Sequence, residues 1–376
     1  MRKALYVILL LATGVLGVSA QSTELNGSKL VLPKGNVLGV AFCPHRDTFF
    51  VQQLVLSTGQ AGRGLFSSRL LSSWSWKTHA MLTKRVLDPT PQHRDSYPCA
   101  RVEVSVKANR ILVCSQERYL EALDPDSLKM VGKIAYGGDQ YIYDFVVDDE
   151  RGRVLVLSLR DDGSPRLTSY SLFDGSQQQE AVLPRTEGRR MSLALLPKTG
   201  QVAVVVDHRY RGDTKSVIYV CSSAGTLQCR RVTQVEWASE ISMLGKELLV
   251  APNVFPDRKQ DCLIAVNLDT RAVAQEYCSP STGVHYAVGV ADERYVVAFT
   301  GIGKRLWWKE QNVVVENSFS VWKAGNPHTV AVARDTSNYG GLQSVVRVFA
   351  NRAEPWFVAY VGESNVLYTY SIVESK

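Results

Sequence analysis

The sequence predicts an all-β fold, a seven-bladed β-propeller of four-stranded antiparallel blades whose ring is closed by the N-terminal strand. Three observations carry this. A short apolar strand returns at near-constant spacing, a hairpin returns with the same spacing, and the last repeat is one strand short. No segment shows the periodicity or capping residues of a helix.

The first marker is a turn followed by an apolar run: NRILVCS, GRVLVLS, GQVAVVV, KELLVAP and ERYVVAF. Their leading residues are Arg110, Arg153, Gln201, Glu247 and Arg294, separated by 43, 48, 46 and 47 positions. DTFFVQQ from Thr48 and PWFVAYV from Trp356 are outlying copies, each 62 positions from its neighbour, so both intervals carry insertions. These seven copies give the blade count.

The second marker is a hairpin: ALDPDSLKMV around Asp126, YSLFDGSQQQ around Gly175, CSSAGTLQC around Gly225 and NLDTRAV around Thr270. Its steps are 49, 50 and 45. A further strand precedes each first marker: YDFVVDD, SLALLPK, SEISMLG and HYAVGVA. Four strands per repeat of this length is the pattern of a propeller blade, which buries its two faces only by stacking on neighbours. A sandwich or a pair of barrels is the alternative, but neither requires a common period.

The last repeat ends NVLYTYSIVESK, its third strand. The missing fourth is supplied by GSKLVLPK near the N-terminus, which otherwise has no partner.

The first residues, MRKALYVILLLATGVLGVSAQ, have the parts of a secretory signal. Arg2 and Lys3 give the positive start, Ala4 to Val18 is mostly apolar, and Val18-Ser19-Ala20 is a small-residue cleavage site. The expected organisation is a signal at 1–20 and one propeller domain at 21–376, secreted or periplasmic. No later stretch is apolar enough to span a bilayer. Without the signal the chain has 43 − 2 = 41 Lys+Arg against 36 Asp+Glu, a charge of +5. It has no dense basic run of the kind that marks nucleic-acid tails, so no nucleic-acid partner is expected. A monomer is expected.

Seven cysteines are present. Cys262 and Cys278 are symmetric about Thr270, and Cys221 and Cys229 about Gly225. Residues directly opposed in an antiparallel pair come close enough for a disulfide. Both pairs are therefore expected to be bridged in an oxidising compartment. Cys99 and Cys114 flank another hairpin but are offset about its turn, and Cys43 is left single.

The run RYLEALDPDSLKMVGKI resembles the repeat of the YVTN-type bacterial β-propellers, and CLIAVNLDTRAVAQEY fits the same pattern. The repeat has an apolar strand, a D-x-x-[ST] turn and a K-V-V-like strand. The likeness covers four of the seven repeats, and the YVTN string itself is absent. The resemblance implies a WD40-like propeller. Propellers of that type include exported proteins of unknown role, lactonase-like enzymes and the beta chain of quinohaemoprotein amine dehydrogenases.

The six histidines form no HExxH and no zinc spacing with cysteine, and there is no CxxC, Walker A loop or GxSxG elbow. No cofactor, metal or catalytic set is expected. His93-Arg94-Asp95 lacks the Asn a kinase loop needs, and Arg211-Gly212-Asp213 is explained as a charged turn with Gly at its bend. Asp139, Glu240 and His285 lie near the starts of first strands, which line the channel of a propeller.

The stronger functional clue is irregularity. The loops between second and third strands open on one face of a propeller. That of blade two is short, SQERY, and that of blade one is STGQAGRG. Those of blades four to six are DHRYRGDTK, PNVFPDRKQD and GIGKRLWWKEQN. They bring Arg209, Arg211, Lys215, Arg258, Lys259, Lys304, Arg305 and Lys309, with Trp307 and Trp308 beside them. Long loops on a rigid scaffold commonly bind, and Trp and Arg are common anchors. The expectation is a non-enzymatic binding or scaffolding protein that takes a protein or an anionic or sugar-like ligand there. The alternatives are a lactonase-like hydrolase and an accessory chain of a quinoprotein dehydrogenase.

Overall fold

The computed structural model describes residues 23–374 apart from 34, 45, 59–64, 88–91, 94–98, 116–118, 135–140, 187–190, 197, 211–212, 223–225, 237, 253–261, 280–283, 306–311, 336–345 and 362–365. It is a seven-bladed propeller of antiparallel blades, with no helix among the described residues. Six blades have four strands on their main path in simple up-and-down order, and the first carries in addition a two-residue strand, Gln92–His93, paired to the far end of its third strand. The first strands of successive blades pack side by side all the way round, including blade seven against blade one, and form the inner ring.

The apolar runs read from the sequence are the second strands. In blade three, Arg153–Leu159 sends Val154 and Val156 towards blade two and Leu155 and Leu157 towards blade four. Both faces of the strand are buried, so the run is continuous rather than alternating. The same division repeats round the ring. Among the described residues there are seven buried apolar clusters, one at each junction between neighbouring blades. The fourth strands are outermost and alternate exposed and half-buried, as in Met81–Val86 and Gln177–Val182.

The recurring hairpin joins third to fourth strand. Its turn is held by the first polar side chain: Asp124 Oδ1 accepts from Ser127 N at 2.8 Å, and Asn267 Oδ1 from Thr270 N at 2.9 Å. A residue with positive φ follows, namely His79, Leu128, Gly175 and Arg271. A register shift then appears where the fourth strand begins. This is a type I turn with a bulge, and it explains the D-x-x-[ST] signature.

Closure follows the expected scheme and extends it. The N-terminal strand is Thr23–Val31, longer than GSKLVLPK alone, and pairs residue for residue with Val366–Glu374 from Thr23↔Glu374 to Val31↔Val366. The disulfides Cys221–Cys229 and Cys262–Cys278 are present, and Cys221 is paired directly with Cys229 in the ladder. Cys99–Cys114 is a third bridge. Its offset arises because it joins the approach to a first strand to the adjacent second strand, where Val102 pairs with Val113. Cys43 is free.

Candidate functional site

Two neighbouring features could serve a ligand: the inner ring and the face onto which the second-to-third-strand hairpins open. On the inner ring one position is equivalent in every blade, four residues before the residue that meets the start of the second strand. From blade one to blade seven it holds Gly39, Arg101, Asp144, Ser192, Glu240, Ala287 and Arg347. A register shift lies immediately before Gly39, Asp144, Glu240 and Ala287. Such bulges re-aim a side chain, and at Ala287 the methyl group is fully buried in the core between blades six and seven. A Cβ at Gly39 would stand 2.5 Å from the Ala100 carbonyl oxygen, so blade two packs against bare backbone there.

Charge is divided round this ring. Arg347 and Arg101 flank Gly39, and Asp144 and Glu240 flank Ser192. Arg101 is engaged through its Nε and Nη1. It donates to Glu103 Oε1 at 2.7 Å, to both Asp144 oxygens at 3.1 Å, and across to the Leu193 carbonyl of blade four at 2.9 Å. Burial works against its charge, but the carboxylates of Asp144 and Glu103 outweigh that and hold its pKa above the ordinary value. Asp144 also accepts from Phe145 N at 2.9 Å and from Leu193 N at 2.7 Å.

Glu240 repeats that last contact two blades on. Its Oε2 accepts from Val288 N of the next blade at 3.2 Å. Burial pushes its carboxyl up to about 7, against the opposing pull of Arg347, the Val288 amide and Arg101. Towards the other face, Arg352 of blade seven donates to the Met243 carbonyl of blade five, and burial lowers its pKa. Of the three axial residues singled out by sequence, Glu240 is in the ring. Asp139 lies outside the described residues, and His285 belongs to the first strand of blade six, Val284–Ala291.

The ring lies towards the hairpin face. Ser192 pairs with Val205, and the strand containing Val205 runs on to Tyr210 before turning. In blade four, DHRYRGDTK is mostly ladder, since pairing continues through His208↔Lys215 and Arg209↔Thr214 to Tyr210↔Asp213. In blade six it reaches Lys304↔Val313 and Arg305↔Asn312, and in blade one Thr58↔Leu65. In blade two it stops at Ser115↔Tyr119. Lys215 is exposed. Arg209, Lys304 and Arg305 lie on strands at these hairpin ends. Arg211, Arg258, Lys259, Trp307, Trp308 and Lys309 lie outside the described residues.

No protein-family model matches the chain, and no curated protein matches it. Solved structures do. Raptor from Chaetomium thermophilum is similar over 94% of this chain and 29% of its own, with TM-score 0.64 and 12% identity. A structure described as the Dos1 propeller is similar over 92% of this chain and 94% of its own, with TM-score 0.54 and 11% identity. The chain thus spans under a third of the Raptor chain it matches. At these identities the likeness shows the propeller fold alone. No family match stands behind the YVTN-type resemblance.

Proposed function

We propose that this chain is an exported, non-catalytic propeller that binds a protein or an anionic or sugar-like ligand on its hairpin face. The observation that carries the reading is the unequal reach of the second-to-third-strand hairpins. Those of blades one, four and six are paired well beyond the length used in blade two. A ladder that outruns its blade is a stiff support for whatever residues it carries. In blades four and six the residues on these ladders include Arg209, Lys215, Lys304 and Arg305. With Arg211, Arg258, Lys259 and Lys309 they would make the surface cationic, and Trp307 and Trp308 would add flat apolar area. Charge of one sign speeds encounter with an anionic partner, and aromatic area holds it.

Export is supported by the signal-like start and by three disulfides, which persist in oxidising compartments. Among the described residues no helix is long and apolar enough to cross a membrane. Cleavage after Ala20 would leave a mature chain that enters its first strand at Thr23.

The test uses heparin as an anionic sugar probe and a poly-glutamate peptide as an acidic protein probe. Binding of at least one is expected and should weaken with salt. Replacing Trp307 and Trp308 by Ala, or Arg209, Lys304 and Arg305 by Ser, should reduce it while leaving the melting temperature nearly unchanged. Failure of both probes at low salt would sink the reading. So would a double tryptophan variant that binds normally, or one that melts far earlier because the tryptophans are core.

A further inference from the structure

Two ring residues have bonding capacity left over. The Nε of Arg347 is buried and has no hydrogen-bond partner among the described residues. Glu240 uses Oε2 on the Val288 amide, and its Oε1 accepts from nothing among the described residues. Blade six lies between them, and its residue at this position, Ala287, is buried in the core against blade seven. Both charged residues are half-buried, so their side chains keep some access to solvent. On the far side, Arg352 bridges blades seven and five through the Met243 carbonyl, which leaves the hairpin face as the approach.

We propose that the axis binds a small monocarboxylate, its carboxylate held by the guanidinium of Arg347 and its other edge by the carboxyl group of Glu240. The planar guanidinium fork matches a carboxylate in geometry and charge. The acidic half of the ring sets the limit on ligand charge. A dianion such as phosphate would face both Asp144 and Glu240, whereas a single negative charge can be bridged by one proton shared with Glu240. The charged groups acting on Glu240 are Arg347, Arg101 and Asp144. At that position the adjoining blades carry Ser192, half-buried, and Ala287, buried in the core between blades six and seven. Arg101 is a poorer anchor than Arg347, because Asp144 and Glu103 already neutralise it and the Leu193 carbonyl shares its Nη1. This site does not depend on the basic hairpins, and its failure would leave the binding role of that face untouched.

The experiment titrates the full chain with acetate and with glycolate, with inorganic phosphate as the contrasting probe, by calorimetry and thermal shift. Saturable binding of a carboxylate is expected. It should be about tenfold weaker at about pH 8 than at about pH 6, because the shared proton is lost over that interval. Arg347→Gln should weaken it by about tenfold or more. Glu240→Gln keeps a donor and should retain binding while flattening the pH dependence. No saturable carboxylate binding at either pH would overturn the proposal, as would unchanged affinity in a folded Arg347→Gln variant or a preference for phosphate. Should Arg347→Gln fail to fold, the wild-type pH profile and Glu240→Gln decide. Binding indifferent to pH in the wild type would also overturn it.

Discussion

Trp76 stacks on Trp356 across the seam between the first and last blades, with ring centroids 3.5 Å apart and planes inclined by 20°. Trp76 lies in the turn after the third strand of blade one, and Trp356 opens the second strand of blade seven, Trp356–Val361. Phe42 meets Trp356 edge-on at 4.5 Å, and Trp356 Nε1 donates to Glu354 Oε2 at 2.8 Å. The seam thus has an aromatic clasp in addition to the paired N-terminal strand, which is the outermost strand of blade seven.

Trp76→Ala should therefore destabilise the protein by about 2–3 kcal/mol, at the low end for a large aromatic because Trp76 is only half-buried. Trp76→Phe should recover part of this. Chemical denaturation measures both. A loss below about 0.5 kcal/mol for the alanine variant would mean that the stack contributes nothing to closure.

Removing the N-terminal strand tests the outer half of the seam. Deletion of residues 23–31 leaves Val366–Glu374 with a bare hydrogen-bonding edge. Soluble yield should collapse and the remainder should aggregate. Gly27→Val is the milder version, since a Cβ there would lie 2.8 Å from the Tyr370 ring. A melting temperature unchanged in both variants would show that this pairing does not close the ring.

Non-reducing peptide mapping should recover three linked pairs, Cys99–Cys114, Cys221–Cys229 and Cys262–Cys278, and a free thiol at Cys43. The loops closed are short, so each bridge should contribute about 2–3 kcal/mol. Cys43 should react slowly, because burial pushes its thiol pKa up.

Glu240 gives a pH dependence of stability. Its carboxyl is raised from 4.5 in the unfolded reference to about 7 in the fold. Between those values the folded state holds a proton that the unfolded state has lost. Stability from this group therefore falls as pH rises through that window, and the loss is complete above it. Glu240→Gln should melt higher than wild type at about pH 8 and show little advantage at about pH 4. Parallel melting curves for the two proteins across that range would contradict the assignment.

The architecture was legible because the forces that build a propeller repeat with the blade. The second strands are buried on two faces and so read as unbroken apolar runs, and the turn held by Asp124 or Asn267 leaves its signature in each hairpin. Cys99–Cys114 was less legible, because it joins neighbouring strands at a different level from the other two bridges. Of the axial ring, only Glu240 stands out in the sequence. Arg101 and Arg347 resemble ordinary surface cations until the first strands are aligned on one rung. Their signal was available in the repeat, as charged residues replacing Gly39, Ser192 or Ala287 at an equivalent position. The charges and glycine of blade four's DHRYRGDTK suggest a loop, yet DHRY and DTKS continue the ladder strand for strand.

The three cross-links and the seam impose opposite timetables on the growing chain. Each disulfide joins residues only 8, 15 or 16 positions apart, so each can form as soon as its own segment is available. The strand Thr23–Val31 must wait. Its Ser28 contacts Thr369, 341 positions later, so one of the earliest segments delivered has no partner until almost everything else has arrived. Until then it is an unclaimed β-strand, and the molecule is a row of oxidised blades with two open ends. Slow delivery, or truncation near residue 366, would prolong that state and invite end-to-end joining between copies.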